Sequence, residues 1–271
     1  MPRIYAATCD DRLYYHALAA ADYPYVLSSF AYPKSLEKLE HTPTAQLTDS
    51  GAFTVWQKGK GIDLAAYVDW CNARRADGPA DQVHISLDVI PGERGKAPTK
   101  RQIKAGMRKS LANGDAMRAA GLPLMEVYHQ GEPVEFLDEL IDRLQVGDVL
   151  GISPRQGGGP SVHSRVAFCE GVFAHLLDRH GKTLPRVHGL GLTGRNLMFR
   201  FPWWSVDSLS WVVPGVWGRV TGRDGRERLD ARIKGRPHLR ESKCREVLEH
   251  WRRWNGELES LWKARGVTWQ K

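Results

Sequence analysis

Along most of the chain, short apolar runs alternate with longer stretches whose apolar positions recur at intervals of three and four. The first pattern marks a strand buried on both faces, the second a helix laid against it. Residues 3–9 (RIYAATC) and 24–30 (PYVLSSF) are both strand-like and flank an alanine-rich helical segment at 14–21; either can open a sheet. AQLTDSGAF is a short strand ending in Asp49 and a small-residue turn at Ser50, Gly51 and Ala52. A helix or turn is expected near residues 35–39, and a helix over 63–75, where Asp63 caps and Leu64, Tyr67, Val68 and Cys71 share a face. VHISLDVIPG predicts an apolar strand ending on Asp88, then a charged loop and a helix over 100–120 that stops before Gly121. LPLMEVYHQGEP predicts a strand ending on Gln130 and Gly131, followed by a helix over 134–144. GDVLGISP is another strand, closed by Pro154 and the loop RQGGGPS, and residues 162–180 are helical. PRVHGLGL and FPWWSVDSLSW are strands, and PGVWGRV reads as one more.

One opening strand, with those ending near Asp49, Asp88, Gln130, Ser153, Leu192, Asp207 and Val220, gives eight, most of them joined by helices. Repeated βα units with near-continuously apolar strands predict a closed (β/α)8 barrel, with a doubly wound open sheet as the alternative. The barrel is expected over residues 1–220. Residues 221–271 supply a basic segment and a helix over 240–264, whose stripe of Val247, Trp251, Trp254, Leu258 and Leu261 packs on the barrel. No GxGxxG follows the first strand and no GxxxxGK[ST] occurs, which removes the usual dinucleotide and P-loop readings.

Charge changes this picture more than composition does. Lys and Arg number 39 against 31 Asp and Glu, a net charge of +8, which favours a polyanionic partner and makes nucleic acid the leading class. The excess concentrates after the last predicted strand: residues 219–245 hold eight Arg and two Lys against two Asp and two Glu. A solvated basic face is the ordinary reading of such a run. Beside a barrel mouth, Arg219, Arg223, Arg226 and Arg228 become candidates for backbone phosphates, with the region around residues 94–101 adding to them. The four cysteines are scattered, with no close pair for a disulfide framework or metal knuckle, which reads as a reducing cytosol. Neither a signal sequence nor a run long enough to span a membrane is seen, so the expectation is a soluble cytoplasmic protein with no membrane partner.

In a (β/α)8 barrel the residues at the C-terminal ends of the strands gather at one mouth. The predicted constellation is Asp49, Asp88, Gln130, Ser153 and Asp207. Asp207 alone reads equally well as a buried hydrogen-bond anchor. Three like charges at one mouth raise one another's pKa values and cost stability, so their convergence points to chemistry. Two carboxylates suit a retaining displacement at an anomeric carbon, one as nucleophile and one as acid/base. Asp88 beside the amide of Gln130 suits recognition of a planar heterocycle. A nucleosidase or glycoside hydrolase, or a nucleic-acid-binding barrel without catalysis, remain alternatives.

Six segments, in order over residues 46–211, resemble those of the tRNA-guanine transglycosylase superfamily. LTDSGAF resembles the LTDSGGFQ signature, SLDVIP the strand with the base-reading aspartate, and EVYHQGEP the GIVQGG segment. GDVLGISP stands where the family has GGLAVGE, VHGLGLTG where it has MGVG, and SVDSLSW where it has the nucleophile strand. The resemblance implies that Asp207 attacks C1′ of a nucleotide and expels guanine, and that Asp49 moves protons to the leaving base and from the incoming one. It implies that Asp88, Gln130 and Gly131 read the guanine-like edge, with backbone near Gly151 and Ile152 adding hydrogen bonds. Phe53 would stack on one side of the base and Leu190 or Leu192 on the other. Ser205 and Ser208 are expected to support Asp207 locally; His129 and His188 read as orienting or packing residues outside the catalytic set.

This chain also departs from the family pattern. Ala52 and Thr54 replace a glycine and a glutamine, and Cys244 stands alone where the family has CxCxxC with a distant His. One cysteine with His238 or His250 is not a zinc set, so no metal and no other cofactor is expected. A compact basic chain without that module resembles the divergent, often phage-encoded relatives that place 7-deazaguanines in DNA. That resemblance implies DNA rather than tRNA as the polymer and a 7-deazaguanine as the small substrate, and it leaves room for a homodimer.

Overall fold

The structure is a computed structural model that describes residues 2–8, 11–33, 39–92, 96, 98–154, 162–217, 219–221, 227–229, 233 and 236–270. In chain order it contains β1 (Arg3–Ala7), α1 (Arg12–Ala20), β2 (Tyr25–Ser29), β3 (Ala45–Asp49), α2 (Ala52–Gln57), α3 (Leu64–Asp77), β4 (Asp81–Ile85), α4 (Lys100–Ala119), β5 (Leu124–His129) and α5 (Val134–Asp142). There follow β6 (Val149–Ser153), α6 (Val162–His180), β7 (Thr183–Leu184), β8 (Val187–Gly189), α7 (Arg195–Arg200), β9 (Ser205–Ser208), α8 (Val213–Trp217), β10 (Arg219–Thr221), β11 (Glu227–Leu229), α9 (Pro237–Ala264) and β12 (Thr268–Trp269).

Eight of the strands close into one parallel barrel in the order β1, β2, β3, β4, β5, β6, β8, β9, with β9 returning to pair with β1 so that Asp207 lies opposite Tyr5. This is a (β/α)8 barrel. The count of eight agrees with the sequence reading, but its membership differs. Residues 3–9 and 24–30 both supply barrel strands, whereas Val220 lies in the antiparallel hairpin of β10 and β11 outside the barrel. Asp207 is therefore on the eighth barrel strand. Of PGVWGRV, Pro214–Trp217 belong to α8 and only Arg219 and Val220 to β10, so the run read as a strand divides between a short helix and the hairpin.

Strand parity sorts the side chains. Tyr5, Leu27, Ala45, Leu47, Val83, Ile85, Met125, Val127, Val149 and Trp204 form the barrel interior. Residues of opposite parity, such as Ile4, Val26, Leu150, Ile152 and Val187, pack outward under the helices with Leu18, Phe173, Leu176 and Trp251. Below the barrel, Arg3 and Arg186 both lie over the Trp204 ring, at 4.8 and 5.2 Å from its centre, and Arg3 also pairs with Asp81 at 2.6 Å. Outside β5, the buried Glu126 binds both Arg118 and Arg143; Arg118 continues to Asp148 and Arg143 to Asp115.

The terminal helix α9 is longer than expected and buries Cys244, Leu248, Trp251, Asn255, Leu258 and Trp262, with Val247, Trp254 and Leu261 at the edges of that face. It lies against α1, α8 and β1. Oδ1 of Asn255 accepts the N–H of Ile4 at 3.0 Å, and Nε of Arg240 donates to the carbonyl of Gly215 at 2.9 Å.

Candidate active site at the barrel mouth

Asp49 is the last residue of β3 and lies opposite Ser29 of β2. The Ser29 hydroxyl donates to its Oδ2 at 3.1 Å, and the Gly51 amide donates to it as well. Gly51 has φ +73, and a Cβ there would come within 2.6 Å of the Ala31 Cβ. A side chain at 51 is therefore excluded both by conformation and by space, which fixes the turn that aims Asp49. Burial pushes the Asp49 carboxyl up to about 7, and the charges of Asp88 and Asp207 push the same way. That effect on Asp49 places the three carboxylates in one electrostatic neighbourhood.

Asp88 does not end a strand. β4 stops at Ile85, and a tight turn in which the Asp88 N–H donates to the Ser86 carbonyl at 2.8 Å carries Asp88 to the mouth. Its partner is not Gln130 but His129, whose Nε2 lies 2.8 Å from Oδ2. His129 ends β5. Its Nδ1 lies 3.3 Å from Oε1 of Glu132, and its N–H donates to Oε2 of Glu132 at 2.6 Å. Gly131, at φ +103, turns the chain back so that Glu132 reaches His129. Burial disfavours charge on this imidazole, yet hydrogen bonds to Asp88 and Glu132 raise it to about 10, so it is a cation held between two carboxylates. The Gln130 amide instead donates to the hydroxyl of Ser164 on α6 at 3.0 Å.

Asp207 receives two hydrogen bonds on one oxygen. Its Oδ1 lies 3.1 Å from Nε2 of His188 and accepts the Gly191 N–H at 2.9 Å. His188 is fully buried in β8, its Nδ1 is 2.7 Å from the Ser205 hydroxyl, and the Tyr5 ring meets it edge-on. Ser205 thus reaches Asp207 through His188. Ser208 does not support the carboxylate: its hydroxyl accepts the Ser210 N–H at 2.9 Å and fixes the turn after β9.

The remaining expected residues divide. Phe53, 37% exposed at the start of α2, stacks at 28° on Trp56, whose indole N–H is anchored on the Gly92 carbonyl. Leu190 packs against the barrel interior just beyond β8. Gly151 is inside β6, where a Cβ would press on Val127 at 3.1 Å, so its glycine serves packing of the interior. Ile152 faces the helices, and its carbonyl is committed to the Leu190 N–H at 3.0 Å. Arg223 and Arg226 lie outside the described residues, as do residue 94, the loop 155–161 and most of 35–39; Arg219 and Arg228 are placed in backbone only, on β10 and β11.

The residues that sequence reasoning left out of the site are Ser29, Glu132, His129 and His188. Parity was the available signal for His129, which shares the face of Val127; that His188 sits beside Ser205 follows from the strand register of the closed sheet. A cavity of about 630 Å³ lined by Arg3, Asp81, Arg186, Trp204 and Trp269 lies at the opposite, N-terminal face of the barrel, away from the carboxylates. Among the described residues no group of three or more His, Cys, Asp or Glu is placed to hold a metal ion, and no helix is long and apolar enough to cross a membrane.

No family model matches the chain, and no curated protein matches it. Among solved structures, an L-ribulose 3-epimerase superposes over 98% of this chain and 97% of its own length, at 12% identity and a TM-score of 0.49.

Proposed function

We propose that this protein is a base-exchange glycosyltransferase akin to the tRNA-guanine transglycosylase superfamily, replacing guanine in nucleic acid with a 7-deazaguanine such as 7-cyano-7-deazaguanine. The observation that carries this reading is the unequal provision for the three mouth carboxylates. Asp88 and Asp207 each have a histidine, while Asp49 has a hydroxyl and a backbone amide and is pushed up to about 7. A double displacement needs that division: an ionised nucleophile beside a second group able to give and take a proton near neutrality.

In this reading a guanine nucleotide enters the mouth flipped from its stack. Asp207 attacks C1′, the C1′–N9 bond breaks with its electron pair going to the purine, and Asp49 protonates the departing base. The 7-deazaguanine then loses its ring proton to Asp49 and attacks C1′, and the bond to Asp207 breaks to restore the carboxylate. Asp88, held by His129, accepts N–H donors of the purine edge, and Phe53 supplies a ring face. DNA is the proposed polymer, on the strength of the basic segment and the missing cysteine set.

The test is mass spectrometry of nucleosides from DNA and from tRNA after incubation with the protein and 7-cyano-7-deazaguanine. The modified deoxynucleoside is expected. Incorporation confined to tRNA overturns the choice of polymer, and abasic sites without incorporation replace exchange by hydrolysis.

A further inference from the structure

We infer that His188 is a positioning residue that, with its tautomer set by Ser205, locks one oxygen of Asp207 and leaves the other to react. This rests on the base-exchange reading for its chemistry but not for its geometry. Oδ1 of Asp207 already accepts the Gly191 N–H, so it faces His188 as an acceptor, and Nε2 must carry the proton that fills the 3.1 Å gap. On a singly protonated ring Nδ1 is then the acceptor, and the Ser205 hydroxyl at 2.7 Å supplies its hydrogen. Ser205 and His188 are both fully buried, with no solvent to supply an alternative partner, whereas the Asp207 side chain keeps 13% of its surface exposed. The chain of donors runs Ser205 to His188 to Asp207, from the barrel interior to its mouth.

Two donors on Oδ1 set both the direction and the balance of the reaction. Oδ2 becomes the attacking atom, and the new C1′–O bond forms on it while Oδ1 becomes the ester carbonyl oxygen, still held by the same two N–H groups. In the second half, as the incoming nitrogen bonds to C1′, the C1′–Oδ2 bond breaks and its electron pair returns to a carboxylate that those donors stabilise. His188 therefore favours release from the covalent intermediate. Its loss should let that intermediate accumulate.

The experiment compares His188→Leu, which removes the donor, His188→Gln, whose amide places an N–H near the lost Nε2, and Ser205→Ala, which keeps the imidazole. For His188→Leu the expected result is a kcat lower by about 100-fold, the scale of a misplaced reacting group, with KM for DNA changed less than about twofold. A larger fraction of enzyme should be trapped as covalent adduct on denaturing gels, and His188→Gln should recover most of the rate. Wild-type kcat in a folded His188→Leu protein, or Gln and Leu variants of equal rate, overturns the inference. Independently of activity, 15N NMR of histidine-labelled protein should show His188 as the Nε2–H tautomer, turning to a mixture in Ser205→Ala. An Nδ1–H form or a doubly protonated ring in the wild type overturns it. If the wild type exchanges no base, the proposed function falls, and the tautomer alone then upholds or removes the lock on Asp207.

Discussion

Nε2 of His129 meets Oδ2 of Asp88 at 2.8 Å, and with Nδ1 turned to Glu132 the imidazole is a buried cation shared by two acids. A base raised to about 10 in the folded state, above an unfolded value of 6.5, contributes stability that is complete below pH 6.5 and is lost as pH rises toward 10. The ring protons of His129 should keep their protonated chemical shifts from pH 6 to 9 in an NMR titration. His129→Gln should lower the urea midpoint at pH 6, and the deficit should narrow by pH 10. A midpoint near 6.5 in the titration would remove the cation.

Asp49 shifts stability in the same direction with pH, but from a penalty on its charged form. An acid raised from 3.8 to about 7 binds more protons folded than unfolded across that window, so stability declines as pH rises through it and is level above. Asp49→Asn cannot ionise. The difference in unfolding free energy between variant and wild type should shift toward the variant by up to ~3 kcal/mol between pH 5 and 8. A difference independent of pH would return Asp49 to the ordinary carboxylate range.

Asp207→Asn keeps an oxygen for the Gly191 amide and for His188, so the variant should fold with a thermal midpoint close to that of the wild type. Its base-exchange rate, measured by incorporation of labelled guanine into DNA, should fall by about 10³-fold or more. Full activity would remove the nucleophile assignment.

The Glu126 cluster makes a prediction independent of function. Glu126→Ala leaves Arg118 with Asp148 and Arg143 with Asp115 as their remaining carboxylates, so it should destabilise by less than the ~3 to 5 kcal/mol of a buried charge left unpaired. Gly114→Ala should also destabilise, despite alanine's helix preference, because its methyl group would collide with the Glu126 carboxylate. Equilibrium urea unfolding reads both. A neutral Glu126→Ala would show that Asp148 and Asp115 alone suffice for the two arginines.

If the basic segment meets phosphates, replacing Arg219, Arg223, Arg226 and Arg228 together by Ala should flatten the dependence of log K on log salt for duplex DNA. Each lost contact removes about 0.9 from the slope. An unchanged slope would move the phosphate track elsewhere on the surface.

The barrel was legible because its strands are buried on both faces and its helices carry a clear stripe; the helix over 162–180 was read to the residue. What misled was local. PGVWGRV, read as a strand, divides between α8 and β10, and α2 and α7, each six residues long, are too short for a period to show. Asp49 and Asp207 were legible as polar ends of apolar runs. Parity along each strand aims His129 and His188 inward, but which carboxylate each meets depends on register between strands, which only the closed sheet specifies. Gln130 shows the same limit: its place at the end of an apolar strand was visible, but its hydrogen bond to Ser164 on the next helix was not.

The bond between Ile4 and Asn255 joins positions 251 apart. On a ribosome adding ~5 to 20 residues per second, the first strand waits on the order of ten to fifty seconds for the acceptor that completes it. Its other neighbour in the barrel seam, β9, also emerges late. The opening segment thus leaves the exit tunnel as an apolar strand with an open edge, so nascent chains stalled before α9 should be captured by chaperones or cleaved within residues 3–30, while full-length chains resist the same protease.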